Sequence, residues 1–123
     1  MQNQNDVRMF MELCGQHTES LCTLKHRAQM NLYMRLIAEE FTELQEGVEN
    51  ADIVEIADAC GDLIWVILGL MNTTGIPLAP VWEAILASNM SKATGGKILK
   101  REDGKILKPD SYFPPDIKKA LSL

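Results

Sequence analysis

The sequence predicts an all-α protein: a four-helix, bundle-type subunit with a short C-terminal hairpin and extended tail, completed by oligomerisation. Apolar residues recur every three or four positions through most of the first 91 residues. Stop signals punctuate those stretches at Gly15, at Gly47 to Asn50 and at Gly75-Ile76-Pro77. The run Leu63 to Met71 is apolar nearly all round, so both of its sides need cover, and an isolated small subunit leaves one of them bare.

The first element is a short helix over residues 5–14, on the repeat of Val7, Phe10, Met11 and Cys14. Residues 16–27 are mixed and polar and read as a loop. A long helix over about 28–48 follows, with Tyr33, Ile37, Phe41, Leu44 and Val48 as its apolar stripe. The next helix starts near Asp52, where Asp52 and Glu55 have capping-box spacing, and runs to about Thr73. Its expected core face is Ile53, Ile56, Cys60, Leu63, Ile64 and Ile67. A fourth helix covers roughly 78–91, with Pro80 in its first turn. Beyond it, Gly96-Lys-Ile-Leu-Lys100 is echoed by Gly104-Lys-Ile-Leu-Lys108, which predicts a hairpin about Asp103-Gly104. Pro109, Pro114 and Pro115 then predict an extended strap.

A chain of 123 residues is expected to form one domain, and 46% apolar content is ample for a core. Seven methionines suit adaptable packing or an interface. The net charge of −5 speaks against binding a nucleic-acid polymer. Three cysteines without a CxxC pair, and a polar start without a signal pattern, predict free thiols in a cytoplasmic setting. The longest apolar run is far short of the ~20 residues a membrane span requires.

Six acidic residues stand out: Glu39, Glu40 and Glu43 on the long helix, and Glu55, Asp58 and Asp62 on the next. At about 100° per residue, each set occupies one arc of its helix, away from the apolar stripe. A short connection makes the two helices antiparallel neighbours, so the two strips can face each other. Like charges that close repel, and a hard divalent cation, Mg²⁺ or Mn²⁺, removes the repulsion. A plainly solvated acidic face is the competing reading, and Glu55 alone has a capping role open to it. A di-iron bundle is disfavoured, because neither His17 nor His26 supplies a Glu-x-x-His pair on these helices. No His-Glu-x-x-His, Walker-type loop or Gly-x-Ser-x-Gly is present.

The string Arg35-Leu-Ile-Ala-Glu39-Glu40-Phe-Thr-Glu43-Leu44, followed by Glu55-Ile-Ala-Asp58-Ala-Cys-Gly-Asp62-Leu-Ile-Trp-Val66, resembles the all-α NTP pyrophosphatases. That superfamily includes MazG-like enzymes, dimeric dUTPases and phosphoribosyl-ATP pyrophosphohydrolases. Its Glu-x-x-Glu and Glu-x-x-Asp elements correspond to Glu40-x-x-Glu43 and Glu55-x-x-Asp58. Some members use the Asp of a later Gly/Ala-Asp-Leu-Leu string, which here is Asp62, with Ala59 at the position three before it. The resemblance implies Mg²⁺-dependent hydrolysis of a nucleoside triphosphate to the monophosphate and pyrophosphate, as housecleaning of the nucleotide pool. It implies Glu40, Glu43, Glu55, Asp58 and Asp62 as metal ligands and Glu39 or Glu43 as general base. Asn89 and Lys92, with Lys97, are then the candidates for binding substrate phosphates, and the subunit is expected to be a homodimer or a dimer of dimers. Two other readings stay open: a phosphoribosyl-ATP pyrophosphohydrolase, and a non-catalytic module whose acidic strips bind a basic partner.

Overall fold

Helices dominate the computed structural model, which describes residues 2–123. The four main ones are α1 (Gln2–Leu13), α2 (Arg27–Glu49), α3 (Ile53–Thr74) and α4 (Leu78–Met90). Two two-residue strands, β1 (Ala93–Thr94) and β2 (Lys97–Ile98), and a single turn, α5 (Ile117–Ala120), complete the chain. The all-α expectation therefore holds. The chain divides into two compact units, Met1–Leu78 and Ala79–Leu123.

In the N-terminal unit α2 and α3 run antiparallel. Tyr33 lies against Gly69 and, at the other end, Gly47 lies against Ile56, so residue numbers rise along one helix as they fall along the other. Both glycines permit a close approach. A side chain on Gly69 would fall inside the Tyr33 ring, and one on Gly47 would press on the Ile56 backbone nitrogen at 3.1 Å. Between the helices, Asp52 N–H donates to Gly47 O at 3.0 Å and Ala51 N–H to Val48 O at 3.2 Å. This is a Schellman closure with Ala51, at φ 51°, in the left-handed position usually given to glycine. Asp52 then caps α3, its Oδ1 accepting from the N–H groups of Val54 (3.1 Å) and Glu55 (3.2 Å). The expected capping box is half formed: the Asp52 N–H is already taken by Gly47, which leaves Glu55 no reciprocal donor.

The expected apolar stripes are met at Tyr33, Ile37 and Leu44 on α2 and at Ile56 and Leu63 on α3, and depart from expectation at the other positions. On α2 the inward positions are Tyr33, Ile37, Glu40, Leu44 and Gly47, while Phe41 and Val48 are 51% and 61% exposed. On α3 they are Ile56, Ala59, Leu63, Val66, Leu70 and Thr73, while Ile53, Cys60, Ile64 and Ile67 are exposed. Spacings alternating between three and four make the pair a short coiled-coil-like seam. Apolar residues line both this seam and the outward face beside it, so periodicity alone could not choose between them.

Helix α1 begins earlier than its apolar repeat suggests. Val7 and Met11 join Tyr33, Val66 and Leu68 in the core, with Phe10 and Cys14 left outside. Its first turn is held by buried Gln4, whose Nε2 donates to Ile76 O at 2.7 Å and whose Oε1 accepts from Leu78 N–H at 2.9 Å. The segment 14–26 is irregular, as expected, but tightly bonded. Glu19 and Thr23 N–H groups donate to the carbonyls of Asn72 and Thr74 at the end of α3, each at 2.9 Å. Gln29 exchanges bonds with both backbone groups of His17, at 2.8 and 2.7 Å. Gly75, at φ 70°, closes α3 directly beneath the Leu21 carbonyl, where any side chain would collide.

In the C-terminal unit the named strands pair Ala93–Thr94 with Lys97–Ile98, turning at Gly95-Gly96 with φ of 56° and 77°. Two consecutive positive φ values are what a type I′ hairpin turn needs. The hairpin expected about Asp103-Gly104 is present beside it: Arg101 N–H donates to Lys105 O and Leu107 N–H to Leu99 O, each at 2.8 Å, on either side of the Lys100–Ile106 bridge. The expected strap is interrupted by α5, with Asp116 as its N-cap (Lys119 N–H to Oδ1, 3.1 Å).

Candidate functional site

The decisive position is Glu40. It occupies a seam position of α2 that Ile37 and Leu44 would lead one to fill with an aliphatic residue. The antiparallel register puts it level with Asp62 and Leu63 of α3, and puts Glu43, one turn on, level with Ala59 and Cys60. Ala59, 1% exposed, contributes only a methyl group to the seam there. Glu40 is half-buried, and its Oε2 is sealed from solvent without a hydrogen-bond partner. Burial pushes its carboxyl above the ordinary value, and the neighbouring Glu43 carboxylate, then the charges of Asp62 and Asp58, push the same way.

Three of the other sequence-selected acids, Glu43, Asp58 and Asp62, thus act electrostatically on Glu40. Glu43, Asp58 and Asp62 are exposed, so the cluster opens to solvent on one side. Of the four, Glu40 alone is partly buried. Glu39 is exposed and one residue off the seam. Glu55 is half-buried and is not among the charges that raise Glu40; its Cγ lies 3.3 Å from where a Gly47 side chain would begin. Among the described residues, no three carboxylate, imidazole or thiol groups are drawn together as a ready-made metal cage. The donor set itself suits a hard cation: carboxylate oxygens alone, with one buried oxygen unpartnered.

The substrate-binding candidates lie in the C-terminal unit. Asn89, exposed on the last turn of α4, accepts from Lys92 Nζ at 2.9 Å. Lys92 is half-buried, and Lys97 is exposed in β2. Lys92 Nζ is 5.9 Å from the centre of the Tyr112 ring, and Lys108 Nζ is 5.0 Å from the same centre. The sequence holds no signal for this meeting, because it depends on how the tail folds back.

A family model described as phosphoribosyl-ATP pyrophosphohydrolase matches residues 7–89, most of α1 and all of α2 and α3 included. The chain belongs to this family. It is thereby a member of the MazG-like all-α NTP pyrophosphatase superfamily, whose activity is pyrophosphohydrolysis. Its similarity to an uncharacterized protein, L479, of Acanthamoeba polyphaga mimivirus is 41% identity over 49 residues. That stretch covers 40% of the present chain and 20% of the mimivirus protein, so the chain spans a small part of that relative's length. Residues 90–123, with the double-glycine hairpin and the folded tail, lie outside the family match. No helix among the described residues is long and apolar enough to cross a membrane.

Proposed function

We propose that this family member is a nucleoside triphosphate pyrophosphohydrolase that depends on Mg²⁺, with Mn²⁺ as a substitute, and clears unwanted (deoxy)nucleoside triphosphates. The observation that carries the reading is the buried, partnerless Glu40 oxygen surrounded by Glu43, Asp58 and Asp62. Four carboxylates in mutual repulsion on one face of a helix pair favour divalent cation binding over remaining empty.

Glu40, Glu43, Asp58 and Asp62 supply the oxygen ligands, with Glu55 as an outer member of the set. A divalent cation held by these carboxylates would neutralise triphosphate charge and make a nearby water more acidic. Glu43, nearer the cluster than Glu39, orients that water and accepts its proton. The water oxygen bonds to the α-phosphorus, the bond from that phosphorus to the bridging oxygen breaks, and pyrophosphate leaves. Asn89, Lys92 and Lys97 donate hydrogen bonds to phosphate oxygens.

The family description favours a second substrate, phosphoribosyl-ATP, split at the same kind of anhydride bond. The tail beyond residue 89, outside the family match, favours the nucleotide reading. Incubating the purified chain and Mg²⁺ with each NTP, each dNTP and phosphoribosyl-ATP decides between them. The expected products are a nucleoside monophosphate and pyrophosphate; orthophosphate alone would overturn the proposed cleavage. A purely protein-binding module would show no tight Mn²⁺ site by calorimetry.

A further inference from the structure

We infer that Lys92, Lys108 and Tyr112 form a phosphate-binding site within the C-terminal unit, suited to the triphosphate chain of a nucleotide. The inference rests on the nucleotide reading for its natural ligand, and it adds Lys108 and Tyr112 to the residues that reading employs.

Charge is divided unevenly along the sequence. Residues 1–78 carry four Lys or Arg against twelve Asp or Glu, whereas residues 79–123 carry eight against five. Within the second stretch, the fold brings two ammonium groups to one aromatic ring. Lys92 Nζ is 5.9 Å and Lys108 Nζ 5.0 Å from the centre of Tyr112. Among the described residues neither makes a salt bridge to a carboxylate, whereas Arg101, in the same unit, pairs with Asp103 at 2.7 Å. The ring's π face offsets part of the repulsion between two such cations. An anion between them would offset the rest, and charge-assisted bonds from ammonium to phosphate are among the strong ones.

The arrangement is built by several independent constraints. Ser88, buried near the end of α4, donates its hydroxyl to Phe113 O at 2.8 Å. Ser91 accepts Phe113 N–H on its hydroxyl at 3.0 Å, and its carbonyl accepts from the Ser111 hydroxyl at 3.1 Å. Residues 111 and 113 are therefore both fastened to the end of α4, and Tyr112 between them is held beside Lys92. Asn89 restrains Lys92 through the 2.9 Å bond to its Nζ. Lys108 follows directly on the Lys100–Ile106 bridge and the Leu107 to Leu99 bond, which fix the chain before it. Tyr112 is half-buried, and the two ammonium groups near its ring are the recognition elements. Tyr112 thus acts as a positioning residue and the lysines as the binding ones.

The test is calorimetric titration of inorganic tripolyphosphate into the full chain, without metal and at low salt. Wild type should bind. Lys92→Ala and Lys108→Ala should each weaken binding about tenfold, the loss of one charge-assisted contact. Lys108→Arg should restore most of it, and Lys118→Ala, which removes a cation on α5, should match wild type. A dNTP should displace the tripolyphosphate. With a hydrolysed nucleotide, Lys108→Ala should raise KM about tenfold and leave kcat near wild type. Wild-type affinity in Lys108→Ala, or no binding by wild type, would overturn the site. Binding that no nucleotide displaces would overturn the nucleotide assignment. Failure of every nucleotide to be hydrolysed would sink the proposed activity while leaving the tripolyphosphate arms to judge this site.

Discussion

The proposed cation site turns on one side chain, Glu40. Its folded-state carboxyl titrates above the ordinary 4.5, chiefly through burial and then through Glu43, Asp62 and Asp58. A raised folded value means that the native state binds this proton more readily than the unfolded chain. The favourable contribution is therefore complete below 4.5 and is lost as pH rises through the folded value. Two outcomes follow for Glu40→Gln. In the absence of metal and at neutral pH it should melt at a higher temperature than wild type, with the difference vanishing as pH falls below 4.5. It should also lose pyrophosphohydrolase activity, and Mg²⁺ should no longer raise its melting temperature as it raises that of wild type. A wild-type melting profile with and without Mg²⁺ would remove Glu40 from the proposed cation site.

The acidic residues themselves were legible in the sequence, and so was part of their ranking, since the resemblance leaves Glu39 out of the metal ligands. The sequence does not set Glu40 apart from Glu43 when the apolar stripe is drawn through Phe41 and Val48. Glu40 stands apart once Gly47 and Tyr33 fix the seam, because it then falls in step with Ile37 and Leu44. The charges of Asp62 and Asp58 both raise Glu40, so both stay in the proposed site. A closer reading of Ala59 and Gly47, small residues at seam spacing, would have pointed to the inward face.

At the scale of elements, the α2–α3 hairpin rests on two local conformations that single substitutions can probe. Ala51 occupies the left-handed position of a Schellman closure at φ 51°. Glycine adopts that region without the Cβ clash, at the expense of greater freedom in the unfolded chain. Ala51→Gly should stabilise the protein by about 0.5–1 kcal/mol in urea denaturation. Gly69→Ala should act in the opposite sense. The added methyl group would enter the Tyr33 ring, and Tyr33 is pinned from its other end by a 2.6 Å bond from its hydroxyl to Gln16. Overpacking of this kind costs about 1–3 kcal/mol. If the ring simply swings aside, Gly69→Ala will denature with wild type, and the close approach of the two helices is not what holds them in register.

The four helices, their order and most of their ends were predictable because capping residues and breaks are local: Gly15, Asp52, Gly75 and Pro80 each act within a turn. The tail was not, because its shape depends on bonds such as Ser88 to Phe113, whose partners are 25 residues apart in sequence. Within the tail, the hairpin that the Ile-Leu repeat predicts about Asp103 does form, its turn held by Asp103 bonds to Arg101 and the Lys105 N–H, whereas the tighter turn at Gly95 and Gly96 is an addition to that reading.

At the scale of the whole molecule, the N-terminal unit leaves an apolar surface that its own helices do not use. Phe41 and Val48 on α2, Ile53, Ile64 and Ile67 on α3, and Met9 and Phe10 on α1 are all exposed. Single exposed aliphatics are ordinary, but clusters on consecutive helix turns are characteristic of interfaces. The sequence reading assigned several of these same residues to the core, which is the behaviour expected if a second copy completes the burial. Each such side chain transferred from water contributes about 1.5–3 kcal/mol, so three or four per subunit outweigh the rotational and translational cost of pairing at the lower end of its range. We therefore expect a homodimer, or a dimer of dimers, in sedimentation velocity experiments, with dissociation on dilution. Ile64→Lys introduces a charge on that face without entering the seam, so it should shift the population toward monomer while leaving helicity intact. A wild-type chain that sediments as a monomer at every concentration would refute the expectation, and the exposed face would then need a different protein to cover it.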